Sequence, residues 1–209
     1  MSSKGKAAGR DKAFPDASLE ASWSPARRRF AEQVRLLMRA LRSTDEAVRD
    51  LAVVQITLLG TKAVPSLISA LESALDESDL KQVSRESPSS SEREIEGICD
   101  ALGIIGDADS VVDLAAALPR KEAVEALARI GGERSLELIM GTLEDEQSGG
   151  GPLGTYGAEA DPEFVRRVFL LLGEAGKKRL KQDLADRSGR AREAIAQIAR
   201  IMGYSDILP

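Results

Sequence analysis

The sequence predicts an all-α fold, an α-solenoid of about four to five short helix-turn-helix repeats. Three observations predict it. The segment Ala101-Leu102-Gly103-Ile104-Ile105-Gly106 returns as Ala126-Leu127-Ala128-Arg129-Ile130-Gly131, and looser copies end at Gly60, Gly173 and Gly203. On both sides of each glycine the apolar residues fall at offsets of three and four, one face of a helix. The apolar content, 43% of the chain, is aliphatic, with only 3% aromatic, which suits close-packed helices better than strands.

Taken in order, residues 1–23 are rich in Ser, Lys, Gly and Ala without either period, and read as a disordered arm. Ser24-Pro25 supplies an N-cap hydroxyl and a first-turn proline. The spacing predicts a capping helix over residues 24–43, with Phe30, Val34, Leu37, Met38 and Leu41 on one face. Arg27-Arg28-Arg29 at its start oppose the helix dipole. Ser43-Thr44-Asp45-Glu46 is spaced as a capping box for a helix that ends at Gly60, where glycine accepts a left-handed conformation.

The solenoid then occupies the rest of residues 24–209 and alternates two kinds of helix. The first kind precedes each glycine. One residue before it stand Leu59, Ile105, Ile130, Leu172 and Met202. Four before it stand Ile56, Leu102, Leu127, Phe169 and Ala199, and eight before it Ala52, Ile98, Ala123, Val165 and Ile195. The second kind follows the glycine, with stripes Val64/Leu67/Ile68/Leu71, Val111/Leu114/Ala115/Leu118 and Leu136/Ile139/Met140/Leu143. The fourth copy, Lys177/Leu180/Lys181/Leu184, keeps half the stripe, as the end of an array requires.

Successive glycines lie 46, 25, 42 and 30 residues apart. The two long intervals hold insertions, residues 76–91 and 144–160, both between the second helix of one unit and the first of the next. Without them each unit is too small to bury its own apolar face, so the units must stack. Helices resume after them at Ser91-Glu92-Arg93-Glu94, a second capping box, and at Asp161-Pro162. Asp107 and Ser188 are further caps.

Ala101 to Asp107, Ala126 to Gly132 and, more loosely, Val168 to Gly173 resemble the HEAT-like repeats of the phycobilisome-lyase type, whose first helix ends in an "A-L-G-x-I-G-D" pattern. The resemblance covers roughly residues 44–203. It implies the HEAT-like α-solenoid and leaves function open, because such repeats serve scaffolds, enzyme regulators, chromophore lyases and nucleic-acid proteins alike.

The chemistry is bounded mainly by exclusion. The chain has no histidine and one cysteine, so a Ser-His-Asp or Cys-His constellation and a Cys-cluster zinc site are ruled out. No catalytic, cofactor-binding or metal-binding residue can be placed, and no cofactor is expected. Cys99, beside Ile98 and Leu102, reads as a buried structural thiol. Gly149 to Gly157 lacks the Lys-Ser/Thr ending of a phosphate loop and reads as a flexible loop, with Leu153 and Tyr156 as residues for a partner to contact. Asp107-Ala108-Asp109 lacks the remaining ligands of a calcium loop, and Asp76, Glu77 and Asp79 read as a solvated loop. No apolar run approaches the roughly 20 residues of a membrane span, and no signal or lipidation motif precedes the helices. A cytoplasmic protein without a membrane partner is the expectation.

The net charge of −5 hides an asymmetry. Residues 1–43 carry ten basic and four acidic side chains, residues 44–161 nine and 24, and residues 162–209 ten and six. Such a distribution speaks about partners rather than fold. Lys177, Lys178 and Lys181 belong to the basic C-terminal set, and an acidic partner surface or a solvated cap explains them better than nucleic acid, since aromatics to stack bases are missing.

The expected function is therefore a non-enzymatic scaffold or adaptor, binding another protein with a basic surface through the helical surface or its inter-repeat loops. Self-association of basic ends with an acidic middle is a further expectation. A bilin-lyase-like or accessory chaperone role is the alternative that the resemblance implies, and nucleic-acid binding the weaker third.

Overall fold

The computed structural model describes residues 23–80, 88–142 and 161–208, and all regular structure in them is helical. Helix α1 spans Pro25–Leu41, α2 Glu46–Leu59, α3 Val64–Leu80, α4 Ser90–Ile105 and α5 Val111–Leu114. They are followed by α6 at Lys121–Ile130, α7 at Gly132–Gly141, α8 at Pro162–Asp186 and α9 at Gly189–Ile201.

The repeat glycines set the architecture. Gly60, Gly106, Gly131, Gly173 and Gly203 all hold positive φ, between 55° and 72°, a region that costs a side chain dearly and glycine nothing. Each ends one helix and turns the chain back across it. The break is plainest in α8, where Gly173 (φ 55°, ψ −138°) divides one continuous helical span into two arms. Helices α2, α4, α6, the first arm of α8, and α9 pack side by side as one layer, and α1 lies against both α2 and α4. The second helices, α3, α5, α7 and the second arm of α8, lie against that layer. This is an all-α solenoid.

The residues four and eight before each glycine form its spine. All ten, from Ile56 and Ala52 to Ala199 and Ile195, are at most 2% exposed. Those one residue before are half-buried, apart from the buried Leu172. Among the second helices Val64, Leu67, Leu71, Val111, Leu114, Leu136, Ile139 and Met140 join the same core. In α1 Val34, Met38 and Leu41 are buried and Phe30 and Leu37 pack against them.

Two glycines permit the closest helix approaches. Position 97 of α4 faces Leu41, and position 103 faces the backbone of Ala126 on α6. An Ala at either site would press into its neighbour, so these first helices lie closer together than their other side chains would allow.

Several local expectations need correction. The cap of α2 is Asp45, whose carboxylate accepts from Ala47 N at 3.0 Å, while Ser43 Oγ accepts from Asp45 N at 3.1 Å. An aspartate nearer the first turn displaces the serine. The capping box of α4 begins at Ser89, not Ser91: Ser89 Oγ accepts from Glu92 N, and Glu92 returns the bond to Ser89 N. Ser91 is buried in the first turn instead. Ser188 precedes α9 but makes no capping bond. Ser24, Asp107 and Asp161 cap as expected.

Helix α3 continues through Asp76, Glu77 and Asp79 to Leu80, so these residues are helical, and Glu77 pairs with Arg42 at 3.5 Å. The second helix of the second unit is only four residues long, flanked by 3-10 turns at Ala108–Ser110 and Ala115–Ala117, with Pro119 closing the segment. Within the stretch Glu46–Ser78 an 18-residue window reaches a mean hydropathy of 1.6, enough by length and composition for a membrane span, against the expectation from the sequence. It is folded as two helices broken at Gly60, and both pack into the stack.

The arm expected over residues 1–23 lies, except for Trp23, outside the described residues, as do the whole insertion at 144–160 and residues 81–87 of the insertion at 76–91.

Candidate interaction surface

The outward face of the first-helix layer departs from the usual polar coat. On α2, Leu51, Val54 and Leu58 are 60%, 53% and 76% exposed, and Val48 41%. Offsets of three, four and seven place Leu51, Val54 and Leu58 in one row. The helix forms because its opposite side buries Ala52 and Ile56, which fixes this row toward solvent. On the neighbouring α4 the position matching Leu58, two before the glycine, is Ile104, 56% exposed, and on α8 it is Leu171, 43% exposed.

Beside the apolar row lie carboxylates. Glu46 and Asp50 on α2 and Glu96 on α4 are exposed, with Asp100 and Glu122 of α4 and α6 partly so. The Glu96 carboxyl titrates above its ordinary range, first because it is partly desolvated, then because Glu122, Asp100 and Glu46 repel its charge while Arg49 attracts it. Arg49 is also held by Ser43 O, which accepts from Nη1 at 3.0 Å.

Further along the layer the charges are matched. Arg129 of α6 donates to Asp100 Oδ1 of α4 at 2.9 Å and to Glu125 Oε1 at 2.6 Å, and Arg167 of α8 donates to Glu125 Oε2 at 2.9 Å. This ladder of alternating sign ties three successive first helices. Lys121 and Asp161 add a 2.9 Å pair between α6 and the cap of α8. Arg167 also lines an open hollow on α8, together with Glu163, Arg166, Leu170 and Leu171.

A further pair serves the fold. Arg42 Nη2 stands 2.6 Å from Glu94, whose side chain is 5% exposed, and joins α1 to α4. Burial raises the Glu94 carboxyl against the pull of that hydrogen bond.

The residues singled out from the sequence are dispersed. Leu153 and Tyr156 lie outside the described residues. Lys178 and Lys181 are exposed on the second arm of α8. Lys177 is 3.0 Å from Asp206 and 5.0 Å from the centre of the Tyr204 ring, so its charge has an internal partner. The hydrogen bond to Asp206 raises the Lys177 ammonium and lowers the Asp206 carboxyl. Cys99 is fully buried and burial raises its thiol, which removes it as a nucleophile. Among the described residues no group of three or more His, Cys, Asp or Glu is arranged to hold a metal ion.

Sequence reasoning passed over Leu51, Val54, Leu58 and Ile104. A signal was present: apolar residues stand two before the glycine at Leu58, Ile104, Leu171 and Ile201, in excess of the rows that make the core.

Residues 119–145, which contain α6 and α7, match the family model of the PBS lyase HEAT-like repeat. The matched unit is the one built on Ala126 to Gly131, whose two helices are both complete, and not the one at Ala101 to Asp107. No curated protein and no solved structure matches the chain. Residues 119–145 thus carry a PBS lyase HEAT-like repeat, set in a stack that is helical throughout its described residues.

Proposed function

We propose that the protein is a non-enzymatic interaction module, a HEAT-like scaffold or adaptor that holds another protein against the outward face of its first helices. One observation carries the reading: the core is complete, yet Leu51, Val54 and Leu58 in one row of α2 remain more than half exposed, as does Ile104 at the α4 position matching Leu58. Single exposed apolar residues are ordinary, whereas a clustered set rimmed by charge marks contact surfaces. Such a surface adds nothing to the stability of the isolated chain.

Affinity capture of the tagged protein from its native cells, followed by reconstitution of the complex from purified components, tests the reading. A partner that binds the purified protein directly supports it. Chemical conversion of that partner by the purified protein, or no partner above background, overturns it. Comparison with a chain lacking residues 144–160 separates contact through that insertion from contact through the helical layer.

A further inference from the structure

We propose that the face shared by α2 and α4 is a docking groove for an amphipathic helix with a basic flank, supplied by a different protein. The inference rests on the interaction-module reading and specifies the chemistry of the partner.

The groove has two unlike walls. Leu51, Val54 and Leu58 run along α2 as a single apolar row, and Ile104, also exposed, stands on α4 at the position matching Leu58. The other wall is acidic: Glu46 and Asp50 on α2, Glu96 and Asp100 on α4, and Glu122 behind them on α6. Helices α2 and α4 are adjacent in the layer and carry equivalent positions of successive repeats. Asp50 therefore matches Glu96, Val54 matches Asp100, and Leu58 matches Ile104. The row from Leu51 to Leu58 is roughly 10 Å long, and from Val48 about 15 Å, close to three helical turns.

An occupant must satisfy both walls. An apolar stripe with three- and four-residue spacing covers the α2 row, the helix-in-groove mode. The carboxylates require Lys or Arg along the adjoining flank, because their own compensation is incomplete: of the charges acting on Glu96, three are acidic and Arg49 alone is basic. Asp100 is already engaged by Arg129 at 2.9 Å, so the cations of the partner fall chiefly on Glu46, Asp50 and Glu96. An anionic or purely apolar segment meets this wall at a cost, and a nucleic-acid backbone is repelled by it.

The probe is a labelled amphipathic peptide of about 18 residues made of leucine and lysine, read by fluorescence anisotropy at low and at physiological salt. Two peptides accompany it, one with glutamate in place of lysine and one of the same composition scrambled out of helical spacing. Leu51→Ser with Leu58→Ser, and separately Glu96→Lys, are each expected to weaken binding at least about tenfold. Val112→Ser and Asp109→Lys, exposed positions away from the groove, are expected to leave it unchanged. All five substituted side chains are exposed, so circular dichroism melts serve as the check on folding.

Equal loss at the control positions, no loss at the groove positions, or equal binding of the scrambled or glutamate peptide overturns the proposal. Sedimentation of the unliganded protein supplies the remaining arm. A dimer that Leu58→Ser dissociates identifies a second copy as the occupant and likewise overturns it. A cellular partner that survives Leu51→Ser/Leu58→Ser leaves the interaction module standing and removes this groove, whereas failure of cellular capture removes the module reading itself.

Discussion

Gly103 of α4 faces Ala126 of α6 so closely that a β-carbon at position 103 would lie 2.9 Å from the Ala126 Cα. The obstacle is backbone, which has no rotamer to escape into. At Gly97 the corresponding distance is shorter, 2.7 Å, but the obstacle is Leu41 Cδ2, the end of a flexible side chain. Gly103→Ala is therefore expected to destabilise by about 1–3 kcal/mol. Gly97→Ala should cost less despite the shorter distance, because the Leu41 side chain can shift aside, whereas the helix propensity gained on replacing glycine is common to both sites. Urea unfolding of the two variants checks the order, and the reverse order would mean that α4 and α6 separate easily.

The spine and the outward row make opposite predictions for the same side chain. Leu102→Ala and Leu127→Ala remove fully buried leucines and should cost about 2–5 kcal/mol each. Leu58→Ala, at 76% exposure, should stay within about 0.5 kcal/mol of the parent. Equal effects in denaturant titrations at the three positions would contradict the register of the stack.

Cys99 should be silent in the native protein. Its thiol is buried and raised, so a thiol reagent at neutral pH is expected to react only at the rate of opening, and stoichiometrically in denaturant. Rapid native labelling would show that the α4 core is open to solvent.

Glu96 gives a stability-versus-pH prediction. Its folded pKa is raised, so its contribution is fully present below the unfolded carboxylate range and is lost as pH rises through the folded value. At neutral pH the ionised group opposes folding. Glu96→Gln should then raise the melting temperature at pH 7, and the gain should vanish as the pH falls into and below the carboxylate range. A gain that persists in acid would assign the effect to something other than charge. Glu122→Gln should lower the Glu96 pKa in an NMR titration, because Glu122 is the foremost of the charges repelling it.

The direction of each helix, and most of its ends, were legible in the residues. Gly60, Gly106, Gly131, Gly173 and Gly203 determine where first helices stop, because positive φ is cheap only for glycine. The rows at Ile56, Leu102, Leu127, Phe169 and Ala199 determine which side is core, because a helix repeats its face every three to four residues. Caps were located to within two residues. Ser43, Asp45, Ser89 and Ser91 all have suitable side chains, and only backbone geometry chooses between them.

What the sequence determined by itself was thus the repeating unit, its core and the chemistry it lacks. The tertiary structure decided what covers each helix. Leu58 and Leu59 are adjacent leucines, yet one is exposed and the other packs against the core. The carboxylates of Glu46, Glu96 and Glu122, up to 76 residues apart in the chain, act on one another only because stacking brings equivalent positions of successive units side by side. Periodicity is a property of one helix. Exposure, close approach at Gly103 and the field at Glu96 are properties of the neighbours that stacking supplies.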